Sequence, residues 1–221
     1  MSSETAAIAD RLKPRALYEE VAELLRQRIF RRDLETGSWI DELAIAKDYG
    51  ISRTPLREAL KVLAAEGLVT MKVRRGAYVT EVSERDLNEV YHLLALLESD
   101  AAGMVARGAT DAQISELKSI HEQLEATVRK GKIDREKFFE INERFHMTLL
   151  KIANNRWRDQ MVADLRKVMK LNRHHSLFKT GRVEDSLAEH RAIMAALAAR
   201  DAAAATECMK AHFQNGLEAA F

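Results

Sequence analysis

Apolar residues fall into short helical stripes at the start of the chain, then into a brief β-prone stretch, and afterwards into long helical stripes only. From about Ala16 to Arg32, Leu17, Val21, Leu24, Leu25, Arg28 and Ile29 recur at helical spacing, and Gly37 follows as a stop. A short second helix is expected from about Asp41 to Asp48, with Gly50 at a turn. A third opens at Ser52, whose hydroxyl can cap free backbone N–H groups, with Pro55 tolerated in the first turn. Leu56, Leu60, Val62, Leu63 and Leu68 are expected to face inward, and Gly67 ends the helix.

Leu68–Val73 and Gly76–Thr80 are then β-prone, and Arg74-Arg75-Gly76 between them reads as the basic tip of a hairpin. Helix, helix, turn, helix, hairpin is the layout of a winged helix-turn-helix, in which the third helix enters the major groove of DNA. From Ser83 the pattern is helical throughout, and Ser83 with Asp86 predicts a capping pair. Six helices are expected, over about 84–107, 111–130, 134–153, 156–176, 183–199 and 201–218, with no return of β signal. The expected fold is therefore mainly α. A winged helix-turn-helix with a small β-hairpin wing occupies residues 1–80, and an all-α helical bundle occupies 81–221.

Composition adds limits. The 221 residues suffice for two modest domains, and two prolines with nine glycines argue against long loops. No apolar run reaches the roughly 18 residues of a membrane span, and the first residues do not pattern as a secretory leader. A single cysteine, Cys208, excludes an internal disulfide and suits a reducing cytoplasm. The net charge of +1 is uninformative by itself. Between Gly50 and Thr80, however, six basic residues (Arg53, Arg57, Lys61, Lys72, Arg74, Arg75) face two acidic ones (Glu58, Glu66), a local net of +4. That is the footprint of a DNA-binding module, although a solvated charged face would look the same on charge alone.

The chemistry of the third helix is more specific. Ser52, Arg53, Thr54 and Arg57 crowd its start. Arginine pairs bidentately with guanine edges, and short hydroxyls suit phosphate oxygens. The run from Ser52 to Leu60, SRTPLREAL, followed by EGLV and a wing glycine, resembles the GntR family of bacterial regulators. The resemblance implies that Ser52, Arg53, Thr54 and Arg57 contact double-stranded operator DNA. It implies also that Gly76 lets the wing, with Arg74 and Arg75, approach the backbone closely. Where some members carry an arginine early in the second helix this chain has Leu43, so that contact is expected to be missing.

Three of the seven histidines stand in suggestive settings. Asn142 and His146 lie four apart on one helical face, and His190 and His212 fall on two further helices. Such a set could surround a divalent ion, since imidazole suits zinc, nickel, iron or copper, but histidines scattered over a bundle are more often ordinary core or surface residues. The helical half is similar to the FadR-type C-terminal (FCD) domain, in its six-helix, VanR-like form. This resemblance implies a metal held by an Asp or Asn and three histidines, here Asn142, His146, His190 and His212, with zinc or nickel as the ion. It implies also a small-molecule effector, for which an organic acid is one candidate. Relatives often carry an arginine one turn before the glutamate matching Glu98, and this chain has Leu94 there. The effector is then less acidic, or is held by another cation such as Arg173.

Together these readings predict a cytoplasmic, homodimeric, ligand-responsive transcription regulator, a repressor, with no membrane partner and no enzymatic role. A homodimer is expected because one recognition helix reads only a few base pairs and a two-fold protein matches a palindrome. Two alternatives stay open: a metalloenzyme whose histidines activate water, and an architectural DNA-binding protein with a purely structural metal.

Overall fold

A computed structural model describes residues 17–129, 132–171 and 181–220. The chain divides between Glu81 and Val82 into two compact units.

In the first unit, α1 (Leu17–Phe30), α2 (Glu42–Asp48) and α3 (Arg53–Ala65) precede a hairpin of β1 (Val69–Lys72) and β2 (Gly76–Val79). Helix α1 buries Val21, Ala22, Leu25 and Ile29, while Leu17 and Leu24 are exposed, unlike the sequence expectation. At 100° per residue these two leucines lie about 100° from the centre of the buried stripe. Helix α3 buries Leu56, Ala59, Leu60 and Leu63, with Val62 only half-buried.

Ser52 occupies the cap position of α3 but makes no capping side-chain hydrogen bond. One of the two usual donors is lacking, since the third helical residue is Pro55, which has no N–H to offer a capping oxygen. In the wing, Lys72 pairs with Gly76, so the turn is formed by Val73, Arg74 and Arg75 and Gly76 already belongs to β2. Segment 37–40 runs along the far side of β2, where Ile40 N–H donates to Ala77 O and Val79 N–H to Ser38 O, both at 2.9 Å.

The second unit is a bundle of α4 (Glu84–Gly108), α5 (Asp111–Ala126), α6 (Arg135–Ala153), α7 (Arg156–Leu171), α8 (Arg182–Ala198) and α9 (Ala202–Glu218). Its helix starts follow from short polar side chains. Ser83 and Asp86 form the expected capping box, Thr110 and Gln113 a second, and Asp134 and Asp201 each accept a first-turn N–H. Asn154 closes α6 in the left-handed conformation, at φ 52°. The absence of further strands was expected, yet Val128–Arg129 (β3) and Lys132–Ile133 (β4) pair antiparallel. Two residues per strand are too few for any periodicity to register.

The fully buried Leu94, Leu117, Leu124, Phe145, Leu149 and Leu150 form the bundle's centre. Helices α4 and α9 run antiparallel at close range: Gly103 lies against Thr206 and Ala202, and Gly216 against Tyr91. A Cβ on Gly103 would stand 2.5 Å from Thr206 Oγ1 and 3.4 Å from the Ala202 carbonyl oxygen. Gly103→Val is therefore expected to destabilise the bundle by about 1–3 kcal/mol through overpacking, read as a lowered midpoint in thermal unfolding followed by circular dichroism; an unchanged midpoint would mean that the two helices can separate freely.

Candidate metal centre and nucleic-acid interface

Helices α6, α8 and α9 deliver His146, His190 and His212 to one place inside the bundle, where one ligating nitrogen from each lies within 4.8 Å of the others. All three side chains are buried. Two are backed by carboxylates. His146 Nδ1 lies 2.7 Å from Glu98 Oε2, and His212 Nδ1 lies 2.6 Å from Glu189 Oε2. A ring that donates Nδ1–H to a carboxylate keeps its Nε2 lone pair for another partner, which is how metal-ligating histidines are usually oriented.

Among the described residues no side chain supplies that partner: His146 Nε2, both ring nitrogens of His190 and Asn142 Oδ1 are buried there without a hydrogen bond. Leaving such groups unsatisfied costs about 1–3 kcal/mol each. Burial, then the charges of Arg166 and His212, pushes His146 well below the usual histidine range; burial followed by neighbouring His212, His146, His121 and Arg166 does the same to His190. Neutral imidazoles with free lone pairs and a neutral amide oxygen fit a divalent cation, so the donor set suits the metal that the sequence led us to expect.

Two arginines complete the electrostatics. Arg166, from α7, places Nε 2.9 Å and Nη2 2.6 Å from Glu98 Oε1. Burial pushes the Glu98 carboxyl up, and Arg166 opposes that shift. Arg182, from α8, donates from both terminal nitrogens to Glu189 at 2.9 and 3.1 Å. Burial raises Glu189, but hydrogen bonds and charge from His212 and Arg182 outweigh it and hold the carboxyl at about 2. A cavity of about 70 Å³ adjoins the site and is lined by Asn142, His146 and His212 with Arg166, Arg182 and Ser186.

Arg166 and Arg182 were not anticipated. One signal was available, because Arg158, Val162 and Arg166 are spaced i, i+4, i+8, which puts two arginines on the buried stripe of α7. Leu94 is buried in the core and brings no charge, so cations reach the cavity from α7 and α8 instead. Arg173 lies outside the described residues. Glu143, next in sequence to Asn142, pairs with Lys170.

In the first unit, Ser52, Arg53, Thr54 and Arg57 are exposed around the start of α3. Arg57 Nε lies 2.9 Å and Arg53 Nη2 3.4 Å from Glu42 Oε2, at the start of α2. On the wing, Lys72, Arg74 and Arg75 are exposed, Lys72 sits 4.2 Å over the Tyr78 ring, and Arg74 holds a left-handed φ of 59°. Gly76 has φ 89°, and a Cβ there would lie 3.1 Å from Trp39 Nε1. The fold itself thus requires glycine at this position. Leu43 is exposed at the start of α2.

Comparison with known proteins bears on both units. Residues 17–79 match the gntR family of bacterial regulatory proteins, and residues 89–215 match the FCD domain. YdhC of Bacillus subtilis (strain 168), an uncharacterized HTH-type transcriptional regulator, is 28% identical over 93% of this chain and 92% of its own. The transcriptional repressor RspR of Escherichia coli (strain K12) is 28% identical over 89% of this chain and 86% of its own. Among solved structures, Escherichia coli McbR/YncC superposes with a TM-score of 0.75 at 24% identity, covering 91% of this chain and 95% of that one. A GntR regulator from Rhodococcus sp. RHA1 superposes with a TM-score of 0.72 at 21% identity and the same coverage. At these identities the structures bear on the fold alone.

Among the described residues, Arg166 is the sole arginine against a fully buried Glu98. Arg166→Met should lower the unfolding free energy by about 3–5 kcal/mol in urea titrations, and adding Glu98→Gln should recover part of the loss. A single variant as stable as its parent would show that Glu98 carries no buried charge.

Proposed function

The chain belongs to the GntR family of bacterial regulatory proteins and carries an FCD domain, and from this membership we propose that a divalent metal and a small metabolite in the helical unit control its hold on operator DNA. Its relatives are DNA-binding transcription regulators and not enzymes, and so is this protein. Residues 1–80 form the DNA-binding domain of this reading and 81–221 the sensor.

Asn142, His146, His190 and His212 hold the ion, zinc or nickel, and the supporting observation is the set of buried, unpartnered donor atoms at that place. An amide in place of a carboxylate leaves the site one negative charge poorer, which weakens its affinity. The bound ion supplies positive charge that attracts an acidic effector. Arg166 and Arg182 line the adjoining cavity and reinforce that attraction, so the effector class that fits is a small organic acid. Ligand that favours one arrangement of a dimer over another is sufficient for regulation. A cavity beside the site favours a sensor over a purely structural metal.

Ser52, Arg53, Thr54 and Arg57 meet the operator from α3, and Arg74, Arg75 and Gly76 meet it from the wing. The Ser52 hydroxyl, unused as a cap, is available for a phosphate oxygen. Repression is the favoured direction, because RspR and the gluconate operon regulator of Bacillus subtilis are named as repressors. The protein acts as a cytoplasmic homodimer, and exposed Leu93, Leu96 and Met104 on α4 beside Trp157 and Met161 on α7 offer an apolar face for a second copy. Among the described residues no helix is long and apolar enough to cross a membrane.

Two measurements test this reading. His146→Ala with His190→Ala should reduce bound metal from about one equivalent per chain to almost none by elemental analysis; full retention would remove the site. Arg53→Ala should weaken operator binding roughly 10- to 100-fold while leaving the circular dichroism spectrum unchanged. Unaltered operator affinity would remove α3 as the reading helix.

A further inference from the structure

The start of α2 holds a feature that the DNA-reading assignment does not use. Glu42 is the first residue of α2, its side chain only 15% exposed, while the side chains of Arg53 and Arg57 are 50% and 56% exposed. One oxygen of Glu42, Oε2, receives both arginines, from Arg57 Nε at 2.9 Å and from Arg53 Nη2 at 3.4 Å. We propose that Glu42 is a specificity-determining residue, which orients Arg53 and Arg57 toward base edges and restrains them from indiscriminate contact with phosphate. This rests on the reading of Arg53 and Arg57 as DNA contacts.

The physical case has two parts. Arg53 and Arg57 are four residues apart, so two guanidiniums stand on one face of α3 and repel each other. A carboxylate between them lowers the local charge from +2 to +1. Phosphates respond to charge alone and carry no sequence information, whereas a guanine edge demands a guanidinium fork in a defined orientation. Removing one unit of charge therefore weakens non-specific binding more than base recognition.

Geometry supplies the second part. Because the Arg57 Nε–H donates to Glu42, its two terminal amino groups remain for an outside partner, and they form the flat end that pairs with adjacent guanine acceptors. As a stabilising ion pair Glu42 would matter little, since the arginines are half in water. Its consequence is for what the arginines can reach.

The test uses the full chain and two duplexes, one enriched from a random pool by the parent protein and one scrambled with the same base composition. Affinities are measured by fluorescence anisotropy across a salt series. Glu42→Gln should bind the scrambled duplex about fivefold tighter, leave the enriched duplex within about twofold, and steepen the salt dependence by about 0.9, the value for one further phosphate neutralised. Glu42→Asp keeps the charge but shortens the reach. It should retain the parent's salt dependence and lose part of the discrimination, and it provides the same test if Glu42→Gln is poorly folded.

An equal change on both duplexes in each variant would overturn the proposal and leave Glu42 a plain surface charge. Arg53→Ala with Arg57→Ala separates the two levels. If that pair abolishes discrimination while the Glu42 variants preserve it, the inference about Glu42 alone fails. If the arginine pair itself leaves discrimination intact, the reading of α3 fails.

Discussion

A carboxylate with no access to water must be matched by charge and hydrogen bonds, and Glu98 imposes that condition on the centre of the helical unit. Arg166 answers one of its oxygens and His146 the other, so α4, α6 and α7 are tied through a single side chain. The condition reaches further than stability. By taking up Nδ1 of His146, Glu98 turns the remaining lone pair of that ring toward His190 and His212, and burial keeps the ring neutral. Without the buried carboxylate the orientation of the His146 ring would not be defined.

The same arrangement recurs nearer the surface. Glu189 stands between His212 and Arg182 much as Glu98 stands between His146 and Arg166. The two differ in burial: Glu98 is pushed up by desolvation, whereas Glu189 is held at about 2 because its partners outweigh a smaller burial cost. Each carboxylate thus joins a histidine of the cluster to an arginine of the cavity wall.

In the first unit, residues singled out for DNA contact also answer to the fold. Gly76 is needed by a positive φ and by the Trp39 indole, so its presence does not by itself speak of DNA. Ser52 shows the reverse. Pro55 removes one of the two N–H groups that a cap could use, and the hydroxyl that a reader of helix starts would assign to capping makes no such bond.

Much of this molecule was legible along the chain. The helical stripes, the basic hairpin and the Ser83–Asp86 cap follow from local spacing, since caps, turns and amphipathic faces are set by neighbours within a few residues, and the three histidines that the structure brings together, His146, His190 and His212, were singled out with the help of a family resemblance. Other features were decided only by tertiary packing. Leu24 is exposed because helix phase depends on which face meets a partner, and β3 and β4 are too short to leave a pattern. Arg166 and Arg182 read as ordinary helix cations until packing brings them to Glu98 and Glu189, 68 and 7 residues away in sequence. Spacing within a helix specifies a face, but the pairing of buried charges depends on which helices become neighbours, and that is settled by the whole core at once.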